Sequence, residues 1–235
     1  MAGKNLHQQV LAELGRAIVT GAVPPGHRTT VAQLEERYGI SRSVAREVVR
    51  VLEALGLLRS STKVGLTVTP SNEWNLLAPE VIRWRLDSAE KAFQLKTLTE
   101  LRRGIEPTAA RYAAQRVTWQ QLQEMRRCAA EMKRLGAAGR GASPEFLAAD
   151  IAFHSALLGA SGNEMLATLA GTITAILTGR NELGLTPAHP AEENLDNHVR
   201  LADALADGDS ARAEQLAVAL VDVVEQEVAQ PVAAS

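Results

Sequence analysis

Apolar residues recur at helical spacing over residues 6–19, where Val10, Leu11, Leu14, Ala17 and Ile18 share one face. Gly21 and the run Pro24-Pro25-Gly26 stop that helix. A short second helix is predicted over 31–38, with Thr29 or Thr30 as its N-cap and Gly39 at the turn that follows. Ser41 caps a third helix that runs to about residue 55, carrying the stripe Val44, Val48, Val51, Leu52 and Leu55, and Gly56 closes it. Residues 57–59 and 66–69 read as two short strands around a polar turn at 60–65. Three helices followed by such a β-wing predict a winged helix-turn-helix over residues 1–70.

Beyond Pro70-Ser71-Asn72 the pattern stays helical nearly to the end, with helices predicted at 79–86, 90–116, 119–135, 144–159, 163–183, 192–207 and 210–228. A Gly/Ala-rich loop at 136–143, a Pro-containing loop at 184–190 and Gly208-Asp209 mark the breaks. The expected organisation is the winged helix-turn-helix over 1–70, a linker and connecting helix over 71–89, and an all-helical domain over 90–230. Composition agrees with a mainly α protein: 46% of residues are apolar but only 3% aromatic, which favours helix packing over a β-sandwich.

A net charge of −2 argues against a general polyanion binder, but the distribution changes the picture. Through Pro70 there are nine Lys/Arg against five Glu, a balance of +4 that leaves −6 for the remainder. This asymmetry suits a phosphate-facing module joined to an acidic body. The single cysteine, Cys128, cannot form an internal disulfide and reads as an inert thiol in a charged helical run. No charged-then-apolar leader opens the chain and no apolar stretch reaches the roughly 18 residues needed to span a bilayer, so a cytoplasmic protein without a membrane partner is expected.

The stretch Gly39-Ile40-Ser41-Arg42-Ser43-Val44-Ala45-Arg46 places a turn directly before a helix whose first residues carry hydroxyls and an arginine. A recognition helix enters the major groove by that end, where Arg pairs with guanine edges and hydroxyls meet phosphate. Arg42 and Arg46 share a face, and Arg50 extends it by a turn. Taken alone, these arginines are the solvated side of an amphipathic helix. The preceding short helix, the glycine turn, the Ser cap and a downstream wing with Lys63 and Gly65 turn the balance toward DNA. Gly21, Pro25-Gly26, Ser41-Arg42, Ala45-Arg46-Glu47 and Leu55-Gly56-Leu57 resemble the N-terminal pattern of GntR-type regulators. The resemblance implies that Ser41, Arg42, Ser43 and Arg46 contact bases and phosphates and that the wing around Lys63 and Gly65 reaches the minor groove; Arg28 and Arg50 complete the expected DNA-binding set. Where that family often carries an acid-arginine pair in the second helix, this chain has Ala32-Gln33, so one contact is expected to be absent and the operator to differ. One small module binds with limited specificity, and a homodimer on palindromic double-stranded operator DNA is expected.

In the helical remainder, Asp150 and His154 stand four residues apart and project from one helix face, a geometry that suits a metal ion but equally an Asp that merely orients a His. His198 lies on a later helix and is either a third ligand or a surface histidine. Residues 101–107 with Ala109-Ala110, residues 150–154, Ala160-Ser161-Gly162-Asn163, and His198 with Ala204, Gly208-Asp209 and Ala213 resemble, in order, the all-helical FCD domain of the FadR branch of GntR regulators. The resemblance implies a divalent metal, zinc or similar, held by Asp150, His154 and His198 beside an effector pocket, with Leu220 where a fourth ligand would stand. It also implies that Arg102 lies near the pocket, where it pairs with an effector carboxylate or forms a salt bridge to Glu100 or Glu106. Asn163, a helix-start residue that reads as a structural cap ahead of a ligand contact, and Thr174, a pocket hydroxyl from the next helix, complete the candidate effector set. Trp74-Asn75-Leu76-Leu77 and residues 81–86 are similar to the connecting segment of galactonate-type sugar-acid repressors, which makes a small acidic metabolite, an aldonate such as galactonate or gluconate, the leading effector class. The expected function is thus a metabolite-responsive DNA-binding regulator, a repressor and not an enzyme; the alternatives are a metal-dependent enzyme or a metal sensor using Asp150, His154 and His198.

Overall fold

The computed structural model describes residues 2–229, and the side chains of residues 6–225. The described residues fall into two compact units that part between Lys91 and Ala92. The expected end of the second domain, at 230, lies outside the described residues.

In the first unit, α1 (Ala2–Val19), α2 (Val31–Tyr38) and α3 (Arg42–Ala54) precede two strands of the wing, β2 (Leu58–Ser61) and β3 (Gly65–Val68). Thr30, of the two threonines considered, caps α2 by accepting from the Gln33 amide at 3.2 Å. A third strand, β1 (Arg28–Thr29), was not foreseen. It adds to β3, giving an antiparallel sheet in the order β1-β3-β2 with Arg28 opposite Thr67 and Ser61 opposite Gly65. The wing turn is correspondingly shorter than 60–65. Gly65 explains itself here: its φ is +81°, and a Cβ would stand 2.8 Å from the Thr29 carbonyl, so the close passage of β1 requires glycine.

Leu14 and Ile18 of α1, Leu34 of α2, Val48 and Leu52 of α3, and Leu66 and Val68 of β3 form one apolar core. Val81 and Trp84 of α4 (Pro79–Leu86) belong to it as well. The connecting helix of 71–89 is therefore seated on the first unit by apolar burial, rather than strung as a bare linker.

The second unit contains α5 (Lys91–Arg116), α6 (Trp119–Ala137), α7 (Pro144–Ala160), α8 (Glu164–Thr168), α9 (Ala170–Glu182), α10 (Glu192–Ala206) and α11 (Ser210–Ala229). Helix α6 opens with a capping box between Thr118 and Gln121, and α7 with Ser143 as cap and Pro144 in the first turn. The single helix expected over 163–183 is two, because Leu169 leaves the α-helical ladder: its amide bonds to Leu166 O at 3.1 Å and the Thr168 hydroxyl to Met165 O at 2.7 Å. Helices α6, α7, α10 and α11 enclose a core with Met125, Met132, Leu135, Phe153, Leu157, Leu201 and Leu205 at its centre. No helix among the described residues is long and apolar enough to cross a membrane.

Candidate functional site

In the first unit the helix-turn-helix presents its polar face outward. Ala45, Val48, Val49 and Leu52 turn α3 inward, leaving Arg42, Ser43, Arg46 and Arg50 exposed. Ser41 is spent locally: its hydroxyl accepts from the Val44 amide at 3.4 Å and lies 2.9 Å from the Ser43 hydroxyl. Arg50 pairs with Glu47 at 2.8 Å, an exposed contact weak enough for a phosphate to displace. Lys63 is exposed between β2 and β3, and Arg28 is exposed on β1. Gly65 is half-buried against Thr29, so its place among the DNA-binding candidates is that of a wing former rather than a contact.

The second unit brings Asp150 and His154 of α7 together with His198 of α10, and one ligand atom from each lies within 4.8 Å of the others. His154 Nε2 is 3.2 Å from Asp150 Oδ1, and its Nδ1 is 3.0 Å from Glu106 Oε2. Glu106 in turn receives the Arg102 fork, Nε at 2.6 Å and Nη2 at 3.2 Å. Of the two salt bridges considered for Arg102, the one to Glu106 forms, while Glu100 faces Lys96 on the exposed side of α5. His198 donates from Nδ1 to the Asn194 carbonyl at 2.9 Å, which leaves Nε2 as an acceptor 3.9 Å from Asp150 Oδ1. That buried Nε2 has no hydrogen-bond partner among the described residues.

The electrostatics follow from this wiring. Burial disfavours a charged His154, but the Glu106 and Asp150 carboxylates outweigh it and raise the imidazole to about 9. Burial also opposes the charge on Asp150, yet the hydrogen bond and charge of His154 hold it at about 2. For His198, burial and the neighbouring His154 act in the same direction and lower it to about 4. Glu106 stays ionised despite complete burial because Arg102 and His154 flank it. Without a metal, then, the site is a neutral imidazole beside an imidazolium that bridges two carboxylates.

Arg102, Asp150, His154 and His198 line a cavity of about 30 Å³, room for an ion or one or two waters. Leu220, 2% exposed, closes part of its wall where a fourth ligand was expected. Arg180 of α9 also lines it; standing directly before Asn181-Glu182 at the polar end of α9, it carries no distinctive sequence signal. Asn163 and Thr174 do not line it. Asn163 caps α8 by accepting from the Met165 amide at 2.9 Å, and Thr174 turns its hydroxyl back to Ala170 O at 2.9 Å. Thr186, Pro187 and Pro190 reach the cavity from the loop between α9 and α10. Cys128 is buried in α6, where burial raises its thiol to about 11, consistent with an inert role.

Residues 6–68 match the family of bacterial regulatory proteins, gntR family, and residues 97–223 match the FCD domain. The chain is 31% identical over 221 residues to the galactonate operon transcriptional repressor of Escherichia coli (strain K12), covering 92% of this chain and 94% of that relative. It is 30% identical over 214 residues to the HTH-type transcriptional regulator LutR of Bacillus subtilis (strain 168), covering 88% and 94%. Among solved structures, Lar of Listeria monocytogenes superposes with a TM-score of 0.60 at 15% identity, covering 94% of this chain and 95% of that one. Streptococcus agalactiae GntR superposes with a TM-score of 0.51 at 22% identity, covering 94% and 99%. These two structures speak to the fold alone.

Proposed function

Because the chain belongs to the gntR family of bacterial regulatory proteins, with an FCD domain behind its winged helix, we propose that this transcriptional regulator is a repressor released from its operator by a small carboxylate, foremost a sugar acid such as galactonate or gluconate. The observation that carries the effector class is the 31% identity, sustained over 92% of the chain, to a galactonate operon repressor. The family is one of transcriptional regulators, so a metal-dependent enzyme built on Asp150, His154 and His198 is set aside.

On this reading residues 1–70 bind DNA, 71–89 connect and 90–230 sense. The N-terminal end of α3 enters the major groove with Arg42, Ser43 and Arg46 on the bases and phosphates, while Ser41 organises that end as its cap; Arg28, Arg50 and Lys63 add phosphate contacts. The protein acts in the cytoplasm as a homodimer, whose two-fold axis places half-sites about 34 Å apart on the operator.

The donor set suits a divalent ion. Two imidazoles and one carboxylate are the ligands zinc takes, and the partnerless Nε2 of His198 is a lone pair already aimed at the shared space. Asp150, His154 and His198 would hold the ion, which when bound supplies a positive centre for an effector oxygen. Leu220 leaves the fourth position to water or that oxygen. A sugar acid needs more room than the cavity has, since small-molecule pockets start at about 300 Å³. The loop over residues 183–191 therefore moves when the effector enters, and that movement is the difference between two states that an effector must exploit to loosen DNA.

The test is retardation of the promoter fragment beside the protein's own gene, titrated with galactonate, gluconate and shorter hydroxy acids. Release by an aldonate at concentrations where the shorter acids do nothing supports the reading. A panel of acids without effect on a complex that does form defeats the effector class.

A further inference from the structure

We infer that Arg102 and Glu106 are a positioning pair for His154: Arg102 anchors Glu106, and Glu106 takes the Nδ1–H of His154 so that Nε2 is the nitrogen turned toward Asp150 and His198. The inference rests on the metal reading above and assigns to this pair the task of preparing the ligand.

Three observations converge on it. First, the pair is sealed: Arg102 and Glu106 are each 1% exposed, and both fork contacts are made within one turn of α5. Such a pair is a poor source of stability, because desolvation offsets much of the attraction, so another reason for its presence is called for. Second, Glu106 Oε2 stands at an ion-pair distance of 3.0 Å from His154 Nδ1, off the line of a well-aligned hydrogen bond, while Asp150 Oδ1 at 3.2 Å and Arg102 Nη2 at 3.4 Å lie on the Nε2 side of the ring. A histidine ligand whose other nitrogen donates to a carboxylate has its tautomer and ring orientation set and its basicity raised. Third, His198 shows the same arrangement with a different acceptor, Nδ1 bonded to the Asn194 carbonyl and Nε2 facing Asp150. Both imidazoles are thereby held with Nδ1 outward and Nε2 inward. The arginine that the family resemblance assigned to the effector carboxylate is, in this geometry, engaged with Glu106.

Zinc is the probe, and affinity is read by competition with a chromophoric chelator. Removing Glu106 alone would strand a buried guanidinium, so the pair is changed together. Arg102→Met/Glu106→Met removes the acceptor and should weaken zinc binding by about 10- to 100-fold. Arg102→Met/Glu106→Gln keeps a carbonyl oxygen for Nδ1–H and should restore most of that loss. Nitrogen NMR of labelled histidine supplies a readout that a packing defect would not imitate: zinc-loaded wild type should show His154 protonated at Nδ1 and coordinating through Nε2, a signature lost in the double Met variant. Wild-type affinity in a folded double Met variant, or coordination through Nδ1 in the wild type, overturns the inference while leaving the metal site intact. A wild-type chain that takes up no zinc overturns the metal reading itself, and the pair's role with it.

Discussion

The amide of Gly141 donates a 2.8 Å hydrogen bond to the carbonyl of Ala188, tying the glycine-rich loop after α6 to the proline loop after α9. A Cβ at residue 141 would run into the Pro187 carbonyl and come within 2.5 Å of the Pro190 ring. Because Pro187 and Pro190 line the cavity, the absence of a side chain at residue 141 is part of what lets it close. Gly141→Val should push the proline loop outward at a cost of about 1–3 kcal/mol. Diethyl pyrocarbonate acylates accessible neutral imidazoles, and His198 is neutral here because burial lowers it to about 4. Its acylation, followed by mass spectrometry, should be slow in the wild type and clearly faster in Gly141→Val; equal rates would show that this loop does not control access.

Arg42 and Arg46 are exposed, and neither forms an ion pair among the described residues, so replacing them should cost binding without costing stability. Arg42→Ala or Arg46→Ala should each weaken operator binding by about 1–3 kcal/mol, and the pair together should abolish retardation, with the melting temperature unchanged. Lys63→Ala should weaken all sequences alike and lower the salt dependence by about one unit of slope. Unchanged retardation in the double variant would remove α3 from the groove.

The two histidines titrate in opposite directions, which sets the pH profile of the metal-free protein. His154 rises from 6.5 to about 9 on folding, because its carboxylate neighbours outweigh burial; its contribution is complete below 6.5 and is lost as pH climbs through about 9. His198 falls from 6.5 to about 4 through burial and the charge of His154; its contribution is complete above 6.5 and is lost as pH drops through about 4. Thermal stability should therefore peak near pH 6.5. His154→Asn should flatten the alkaline limb in melting curves taken across this range, and an alkaline limb that survives the change would assign it to other groups.

Leu220 stands in the cavity wall with Asp150, His154 and His198. Leu220→His should complete a four-ligand set of the closed type and tighten zinc by about ten-fold or more, while removing the position left for an effector oxygen. Chelator competition and effector titration on the same variant should move in opposite directions. Tighter zinc with an unaltered effector response would place the effector away from the ion.

Much of this is legible in the sequence. Gly39, Ser41, Gly56 and Gly208 are punctuation whose meaning is local, since a cap or a left-handed turn is decided within four residues, and the helix limits they predict agree with the structure to within a residue or two. Strand β1 was not legible, because two residues, Arg28 and Thr29, show no alternation and become a strand only by pairing with β3. The break at Leu169 was hidden by an apolar run that continues across it. Asn163, a helix-start residue that reads as a cap before a ligand contact, does cap α8, and Thr174, expected to offer a pocket hydroxyl, bonds to its own helix backbone instead.

The sequence by itself determined the order of elements, the basic face of α3 and the shared helix face of Asp150 and His154, because periodicity, capping and residue chemistry are carried by neighbours along the chain; His198 joined them only through the family resemblance. Tertiary structure alone decided that Glu106 meets His154, and that a glycine loop and a proline loop meet beside the cavity. Those contacts join α5 to α7 and the loop after α6 to the loop after α9. Distances between such segments are set by how the helices pack, and packing is a property of the whole core rather than of any stretch of sequence.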